Sequence, residues 1–410
     1  MSRFAFLLRL PVIVGLAHFY VALRLATALE DATGRWAVAT GILLLYLLIM
    51  TGFKTRRAAG RPAGDLAAWA GFLALGYFAW LFVLTLCRDM LLGIVAAGKA
   101  AGVLPPQIHT GIFMPVNPQA GSLSGQLHAA ASLLYADLAA CSALLVILLA
   151  LLAVLLGLYN SRRVARVVRV DIPLPGLPQA LEGLTIAQLT DIHVGPTIKR
   201  GYVRGIVSRT NALRPDIIAI TGDLIDGSVE RLREDVAPLG QLQARHGVYA
   251  VTGNHEYYSG ADAWVAEFRR IGLDVLMNEH RLVERDGATL VLAGVTDFGA
   301  GAFDQRQASD PEAALRGSPR NAGARILLAH QPRSAPAAAQ AGFDLQLSGH
   351  THGGQFWPWR YFVPLQQPFV SGLHYQDSMA VYVSQGTGYW GPPMRIGAKS
   401  EITLIRLTQA

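Results

Sequence analysis

Three long apolar runs in the first 160 residues constrain what this chain can fold into. They begin at Trp36, Leu66 and Leu138 and read WAVATGILLLYLLIMTGF, LAAWAGFLALGYFAWLFVLTL and LAACSALLVILLALLAVLLGLY, without a charged residue in any of them. Because about 20 apolar residues in a helix cross about 30 Å of hydrocarbon, each run predicts a membrane-spanning helix. The hydrophobic fraction of the whole chain, 52%, also indicates a membrane portion.

A fourth and weaker apolar segment covers about residues 10–29. It contains His18 and Arg24, and it ends in ATA at residues 26–28, which resembles the cleavage site of a signal peptide. The polar interruptions make a poor core for a signal peptide, which leaves a fourth helix as the alternative. We therefore expect a transmembrane helical region of about four helices in residues 1–160.

The distribution of charge predicts the orientation of these helices. Residues 1–170 contain 14 Lys/Arg and 5 Asp/Glu, whereas residues 171–410 contain 21 and 23. The short loops KTRRAAGR (54–61) and SRRVARVVR (161–169) are densely basic, so the positive-inside rule places them, and the domain after residue 169, in the cytoplasm. The connection 88–137 would then face outward, with a short apolar helix near residues 91–103.

The basic excess therefore lies beside apolar segments, and no nucleic-acid partner is expected despite the net charge of +7. Cys87 and Cys141 lie in or beside the apolar runs. The C-terminal half consequently has no disulfide, which fits a cytosolic domain. We expect an integral inner or plasma membrane protein with several spans.

The C-terminal half has the pattern of an α/β domain. After DIPLPGLPQALEG come the apolar runs LTIAQLT, IIAIT, VYAVT, RILLA and FDLQLS, which predict buried strands, while RGYVRGIVSRTNAL and ADAWVAEFRRIG predict helices. We expect residues 161–183 to form a basic, Pro-rich linker that includes the first strand. Residues 184–410 would form the α/β domain.

Potential metal ligands follow the predicted strands, and active-site groups of α/β folds collect at the carboxyl ends of strands. These candidates are Asp191, His193, Asp223, Asn254, His330, His350 and His352. Their mixed oxygen and nitrogen donors suit manganese, iron or zinc. Seven ligands exceed one tetrahedral site and suit two divalent ions, which together can clamp a phosphoryl group and activate water.

The motifs DIH, GDLID, GNHE and GHTH stand in the order found in the calcineurin-like metallophosphoesterases, which residues 184–407 resemble. The stretch after GHTHGGQ further resembles the membrane-associated bacterial branch of that family. The resemblance implies a four-layer α/β/β/α sandwich of two mixed sheets. It also implies a ligand assignment: Asp191, His193 and His352 on one metal, Asn254, His330 and His350 on the other, and Asp223 bridging them.

By the same resemblance, His255 of GNHE is not a ligand but a general acid or a stabiliser of developing charge, and Asp226 of GDLID orients it. Imidazole titrates near the working pH, and a carboxylate on its other nitrogen would fix its tautomer. Arg333 is a candidate phosphate contact or a surface residue. Asp297 either supports the site or lies in a turn, and Gln331, in a segment that varies in the family, leaves substrate geometry open.

An aromatic stretch follows the last ligands. It has two interpretations, a rim that contacts lipid or a base and a hydrophobic lid that packs on the sheet. Its members are Phe356, Trp357, Trp359, Tyr361, Phe362 and Trp390.

Together these features predict a membrane-tethered, dinuclear metal-dependent phosphoesterase. Tethering favours a lipid-linked phosphoester or pyrophosphate substrate, of the kind some relatives cleave in lipid A synthesis. The alternatives are a general phosphodiesterase with an anchor and a non-catalytic membrane sensor or assembly protein that retains the metal-binding fold. His255 and Asp226 favour an enzyme, and the ester class stays open.

Overall fold

The computed structural model describes residues 3–55, 62–103 and 123–410. The chain divides into two compact units. The first comprises Met1–Lys54 and Trp69–Leu155, and the second comprises Thr55–Ala68 and Leu156–Ala410.

The N-terminal part of the described chain is helical. Its helices are α1 (Arg3–Ala26), α2 (Ala32–Thr55), α3 (Pro62–Ala100) and α4 (Leu123–Arg162). Three segments are long and apolar enough to cross a membrane: Ala32–Lys54, Ala63–Gly98 and Ala139–Arg162. The weaker N-terminal segment is also helical, with a shorter apolar stretch over Pro11–Ala26. A helical region of about four helices is therefore confirmed.

Helix α3 is longer than predicted. It continues without a break to Ala100, so the separate short helix expected near residues 91–103 is not present, because no proline interrupts the chain before Pro105. The longer helix includes Asp89, which accepts hydrogen bonds from Arg24 Nε at 2.6 Å and from Tyr20 Oη at 2.6 Å. Residues 56–61 of the first basic loop and residues 104–122 of the outward connection lie outside the described residues.

The second unit contains twelve strands in two six-stranded sheets. The strands are β1 (Arg166–Leu174), β2 (Thr185–Leu189), β3 (Ile217–Thr221), β4 (Val248–Val251), β5 (Asp274–Val275), β6 (Glu279–Arg285), β7 (Ala288–Gly294), β8 (Ala324–Leu328), β9 (Leu345–Ser348), β10 (Gly372–Gln376), β11 (Met379–Val383) and β12 (Glu401–Gln409). The helices are α5 (Arg200–Asn211), α6 (Val229–Val236), α7 (Asn254–Ser259), α8 (Ala261–Arg270), α9 (Pro311–Leu315) and α10 (Ala335–Ala341). Strand order is β1-β12-β2-β3-β4-β5 in one sheet and β10-β11-β9-β8-β7-β6 in the other.

The two sheets pack face to face with helices on their outer sides. In β3, Ile217 and Ala219 point into the core between the sheets, while Ile218 and Ile220 face the core beneath α5, α6 and α8. This alternation follows from the two-residue period of a strand. Ala335 and Ala338 of α10 cover the outer face of the second sheet. The predicted four-layer α/β/β/α sandwich of two mixed sheets is confirmed.

Strand β1 lies within residues 161–183, the segment expected to hold a linker and the first strand. It pairs in parallel with β12 at the edge of its sheet, where Pro173 is tolerated because an edge strand can lack one donor. Only residues 163–165 separate α4 from β1. The last turn of α4 is held within the second unit: Arg395 N donates to Gly157 O at 3.0 Å, and Ser161 Oγ donates to Pro393 O at 2.8 Å.

Candidate metal centre

The topology brings the predicted ligands to one place. Strands β2, β3 and β4 are parallel neighbours in the first sheet, and β8 and β9 are parallel neighbours in the second. Their carboxyl ends carry DIH, GDLID, GNHE, His330 and GHTH. Of the candidate ligands, Asp191, His193, Asp223, His350 and His352 have φ between 52° and 70°. These left-handed conformations are uncommon outside glycine and cluster at functional sites, where surrounding contacts enforce them.

Glycines let these turns approach one another closely. Gly222 has a φ of +88°, and a Cβ there would lie 2.6 Å from the backbone nitrogen of Gly253 and 2.9 Å from His330 Nδ1. Only glycine fits such a position. The glycine before Asp223 therefore allows the β3 and β4 loops to meet the histidine from β8.

One group of ligand atoms comprises Asp191, His193 and His352, all buried and all within 4.8 Å of one another. His193 Nε2 lies 3.1 Å from His352 Nε2, and His352 Nε2 lies 3.3 Å from Asp191 Oδ1. The Asp191 carboxylate is itself held by Thr190 Oγ1 at 2.8 Å and by the backbone nitrogen of His350 at 3.0 Å.

A second group comprises Asp223, His330 and His350. His330 Nε2 lies 3.2 Å from Asp223 Oδ2 and 3.1 Å from His350 Nδ1. His330 Nδ1 is 2.8 Å from Thr221 O. Because a carbonyl only accepts, Nδ1 carries the proton, and in the neutral ring the lone pair of Nε2 points into the group.

Asp223 lies between the two groups. Its Oδ2 atom is 3.2 Å from His330 Nε2 and 3.8 Å from His193 Nε2. Its Oδ1 atom accepts a hydrogen bond from the backbone nitrogen of His255 at 2.9 Å. This is the position that a bridging carboxylate would need, and the bridging role remains a prediction.

The donor set fits divalent ions. Asn254 Oδ1 is buried without a hydrogen-bond partner among the described residues, and buried polar atoms are otherwise nearly always paired. The two groups also bring imidazole nitrogens within 3.1 Å of each other. Nitrogens this close can share a cation once their protons are displaced, as metal binding does. The residues present therefore fit the metals that the sequence implies.

The pKa values of the histidines in the two groups differ widely, although their rings lie close together. Burial and the charge of His330 lower the pKa of His350 to about 3. Burial opposes protonation of His330, but the charge of Asp223 raises its pKa to about 10. Burial, Arg395 and His193 hold the pKa of His352 well below its ordinary value. His350 and His352 are thus neutral at pH 7, the form in which imidazole binds a metal.

His255 lies beside the two groups with its predicted partner. Its Nδ1 atom is hydrogen-bonded to Asp226 Oδ1, and its Nε2 atom is 3.9 Å from Asp223 Oδ2. The other oxygen of Asp226 lies 3.5 Å from His193 Nδ1, so one carboxylate contacts two imidazoles. The contacts with His255 hold Asp226 ionised, with its pKa far below the ordinary value despite burial.

Sequence reasoning missed Glu256, which is fully buried. Its carboxylate accepts from the backbone nitrogens of Asp223 at 3.0 Å, Leu224 at 2.8 Å and Gly253 at 2.7 Å. Burial and the charge of Asp223 raise the pKa of Glu256 to about 7. The signal was available, because an acidic residue at the third position of a helix commonly binds the backbone before it.

Arg395 was also missed. It is 1% exposed, and its guanidinium donates to the backbone oxygens of His352 at 2.9 Å, Gln385 at 2.6 Å and Gly388 at 2.5 Å. It therefore ties the loop of the last motif to the loop after β11. No local pattern indicates this role.

Gln331 and Asp297, whose roles the sequence left open, contact each other. Gln331 Nε2 donates to Asp297 Oδ2 at 2.8 Å, and Gln331 Oε1 accepts from Gln367 Nε2 at 3.1 Å. Asp297 is buried and also accepts from the backbone nitrogen of Gly299 at 2.8 Å. Both residues thus support the loops around His330.

Arg333 projects from the same region. Its guanidinium lies over the ring of Phe298, 5.0 Å from the centroid, and Phe298 is 48% exposed. Arg333 Nε is buried without a hydrogen-bond partner among the described residues. Its charge contributes to lowering the pKa of His350, after burial and the charge of His330. Arg333 is therefore a cation beside the second group.

The aromatic stretch does not pack as a lid in this chain, since its large side chains are substantially exposed. The exposed members are Trp357, Trp359, Tyr361, Phe362 and Trp390. This exposure favours the interpretation as a rim.

Parallel strands that deliver aspartates and histidines to adjoining ends of two sheets define a calcineurin-like phosphoesterase. The model of that family matches residues 184–354. A metallophosphoesterase of Aquifex aeolicus, described as uncharacterized, is 32% identical over 258 residues, 62% of this chain and 96% of the relative. The chain belongs to the calcineurin-like phosphoesterase family.

Two vertebrate relatives share more sequence. "Transmembrane protein with metallophosphoesterase domain" from Danio rerio is 44% identical over 262 residues, 62% of this chain and 60% of the relative. The Bos taurus protein of the same name is 42% identical over 278 residues, 65% of this chain and 62% of the relative. The chain thus spans about 60% of the length of these relatives.

Proposed function

We propose that this protein is a membrane-tethered, two-metal phosphoesterase that hydrolyses phosphoester or pyrophosphate bonds. The observation that carries the proposal is the position of Asp223, which lies between two groups of ligand atoms with His255 beside it. The proposed ligands are Asp191, His193 and His352 for one ion, Asn254, His330 and His350 for the other, and Asp223 for both. Manganese, iron and zinc suit this donor set.

The ions, when bound, would polarise the phosphoryl oxygens and lower the pKa of the attacking water. His255 would donate a proton to the leaving oxygen, and Asp226 would keep its Nδ1 atom protonated so that Nε2 faces the substrate. Glu256 would hold the loop of Asp223 by its three backbone contacts. Arg333 would bind a phosphoryl oxygen with a guanidinium that stacks on Phe298.

An activity screen tests the proposal. The purified full-length protein, loaded with Mn²⁺, would be assayed with a phosphomonoester, a phosphodiester and a pyrophosphate. We expect metal-dependent hydrolysis of at least one class. Full metal loading with no hydrolysis of any class would instead favour a non-catalytic sensor or assembly protein.

We further propose that residues 1–160 form a multi-pass membrane region and that the domain of residues 184–410 lies in the cytoplasm. The two basic loops support this orientation. Fusion of alkaline phosphatase after Ala410 is the test, because that reporter is active only after export. Reporter activity in this fusion would overturn the orientation.

A substrate at the bilayer surface best explains why the domain is tethered, and we propose a lipid-linked phosphoester or pyrophosphate. Arg163, Arg166 and Arg169 are exposed after the last apolar helix. Each basic residue near an anionic surface contributes about 1 kcal/mol to membrane attraction. The proposal predicts a higher kcat/KM for a lipid-linked pyrophosphate than for a water-soluble diester, measured on the full chain in anionic vesicles.

Replacement of the three arginines by glutamine provides the control. It should lower kcat/KM for the lipid-linked substrate and leave the soluble diester unaffected. If the unaltered protein prefers the soluble diester, the helices serve only as an anchor and the lipid proposal fails.

A further inference from the structure

Two exposed aromatic rings flank His255. The ring of Tyr258, near the end of α7, has its centroid 5.2 Å from that of the imidazole, and the ring of Trp390, in the loop after β11, lies 5.8 Å away. Tyr258 is 58% exposed and Trp390 is 43% exposed. Single exposed aromatic residues are common on protein surfaces. Two that come from separate segments and meet at one buried imidazole call for an explanation.

The position of Trp390 is fixed by Gln355, the residue that ends the GHTHGGQ motif. Gln355 is buried, and its side-chain amide makes both backbone hydrogen bonds of Trp390: Oε1 accepts from the nitrogen at 2.9 Å, and Nε2 donates to the oxygen at 2.8 Å. The loop that carries His350 and His352 therefore also places this indole. Trp390 is exposed although its backbone is firmly held.

Tyr258 contacts a second aromatic ring. Its ring lies 5.8 Å from that of Phe303, and Phe303 lies 5.7 Å from Tyr257, whose hydroxyl donates to Gln307 at 2.9 Å. The side chains around this face of His255 therefore present aromatic rings. Such rings pair with other rings at centroid distances of about 4.5–7 Å.

The chemistry identifies the part of a substrate that would contact these rings. In hydrolysis, the oxygen of water forms the new bond to phosphorus, and the bond from phosphorus to the leaving oxygen breaks with both electrons remaining on that oxygen. The proton on His255 Nε2 then completes the alcohol that leaves, and water replaces that proton from solution. The organic group on the leaving oxygen must therefore contact the surroundings of His255.

We propose that Tyr258 and Trp390 form the leaving-group subsite of this protein and that it takes a planar aromatic or heteroaromatic group, such as an aryl ring or a nucleobase. This inference rests on the proposed function, because it uses His255 as the proton donor. Stacking on aromatic side chains tolerates many planar groups and gives affinity without hydrogen bonds. A lipid on the same substrate would then be attached through the other substituent of phosphorus.

Three esters test the subsite on the full-length, Mn²⁺-loaded protein: benzyl, cyclohexylmethyl and n-heptyl phosphate, or their methyl diesters if only diesters are hydrolysed. All three leave as primary alcohols with the same carbon number, and they differ in whether the group is planar. We expect kcat/KM for the benzyl ester to exceed that for the cyclohexylmethyl ester by at least about fivefold, the low end of stacking on one aromatic side chain.

Variants assign the preference to residues. Trp390→Ala and Tyr258→Ala should each reduce the benzyl-to-cyclohexylmethyl ratio, mainly through KM, without loss of bound metal, while Trp390→Phe should retain most of the ratio. Trp359→Ala is the matched control, since Trp359 is 45% exposed but contacts Phe356 and Phe362. It should leave the ratio unchanged.

The outcomes separate the two proposals. Hydrolysis of none of the esters, together with a negative activity screen, would refute the proposed function. Hydrolysis with equal rates for the benzyl and cyclohexylmethyl esters would refute the subsite alone. A preference for the heptyl ester that Trp390→Ala removes would identify a subsite for an alkyl chain and overturn the planar assignment. A reduced ratio in Trp359→Ala would show a general aromatic surface rather than a subsite.

Discussion

Asp89 in the helical unit and the aspartates of the metal centre are partly or fully buried carboxylates, but their charges are balanced differently. Asp89 accepts two hydrogen bonds from Arg24, at 2.6 and 3.0 Å, and Arg88 Nη1 lies 3.4 Å away. Asp191 and Asp223 instead contact histidines and backbone nitrogens. Neither forms an ion pair with lysine or arginine in the part of the chain that the structure describes.

The comparison separates a cluster whose carboxylate is balanced by arginines, at Asp89, from one whose carboxylates would be balanced by metal ions, at the metal centre. At Asp89 two arginines supply the positive charge, so the cluster needs no ion from solution and can hold two helices together. Among the described residues, Asp191 and Asp223 have no arginine or lysine partner and neighbour His350 and His352, which are neutral at pH 7, so metal ions from solution would offset the cost of burying their charges. The second arrangement is therefore typical of a binding site and the first of a structural contact.

The largest expected effect is that of Asp223→Asn. The change keeps the shape of the side chain but removes the charge that would hold both ions. We expect loss of bound metal and a fall in turnover larger than the about 10²–10⁴-fold that a general acid contributes. Metal analysis and an activity assay would check this, and a fully metal-loaded, active variant would contradict the bridging role.

His255→Ala should affect chemistry without affecting the ions. We expect unchanged metal content with turnover lowered about 10²–10⁴-fold for alcohols that need protonation to leave. Esters of p-nitrophenol, which leaves readily as an anion, should lose much less. Equal losses on both kinds of ester with metal retained would show that His255 stabilises charge rather than donates a proton, and a variant that no longer binds metal would place His255 among the ligands.

Removal of the metal ions should lower the free energy of unfolding of the protein. At a free metal concentration of about 100 times Kd, bound ions stabilise the folded state by about 2.7 kcal/mol per site, and EDTA should remove that contribution. Thermal unfolding followed by tryptophan fluorescence would measure the change. The Asp223→Asn protein should be insensitive to EDTA, whereas Asp89→Asn should retain the full shift.

The smallest effect is expected from Asp89→Asn, which leaves two arginines without their carboxylate. The side chains are partly exposed, 18% for Asp89 and 37% for Arg24, so we expect a loss of about 2 kcal/mol, between the values for exposed and buried pairs. Adding Arg24→Gln to Asp89→Asn should recover part of the lost stability. If Asp89→Asn lost hydrolysis while keeping its metal content, the Asp89 cluster would have a functional role in addition to a structural one, and the comparison would be wrong.

The parts of the fold that the sequence predicted are local ones. The runs before Asp191, Asp223 and His330 could be recognised as strands, and their carboxyl ends are where an α/β fold places its chemistry. The pairing of β1 with β12, as in Arg169 with Leu404, could not be recognised because it joins distant segments. The sequence predicted a first strand within residues 161–183, but it could not indicate the strand with which it pairs.

The same distinction holds within the site. Every proposed ligand lies in a motif or, for His330, directly after a predicted strand, whereas Arg395 and Trp390 reach the site from a loop without a ligand motif. Arg395 acts through backbone oxygens, which every residue possesses, so no residue pattern marks its targets. The motif residue Gln355 was visible, but its contact with Trp390 depends on tertiary structure.

The place of β12 between β1 and β2 has a consequence for biosynthesis. Strands β1 and β2 come early in the second unit, yet neither pairs with the other, and the strand that joins them consists of the residues Glu401–Gln409. The first sheet therefore cannot close while these residues are still within the ribosome. A nonsense codon before residue 401 would leave two strand edges open, and open edges favour aggregation.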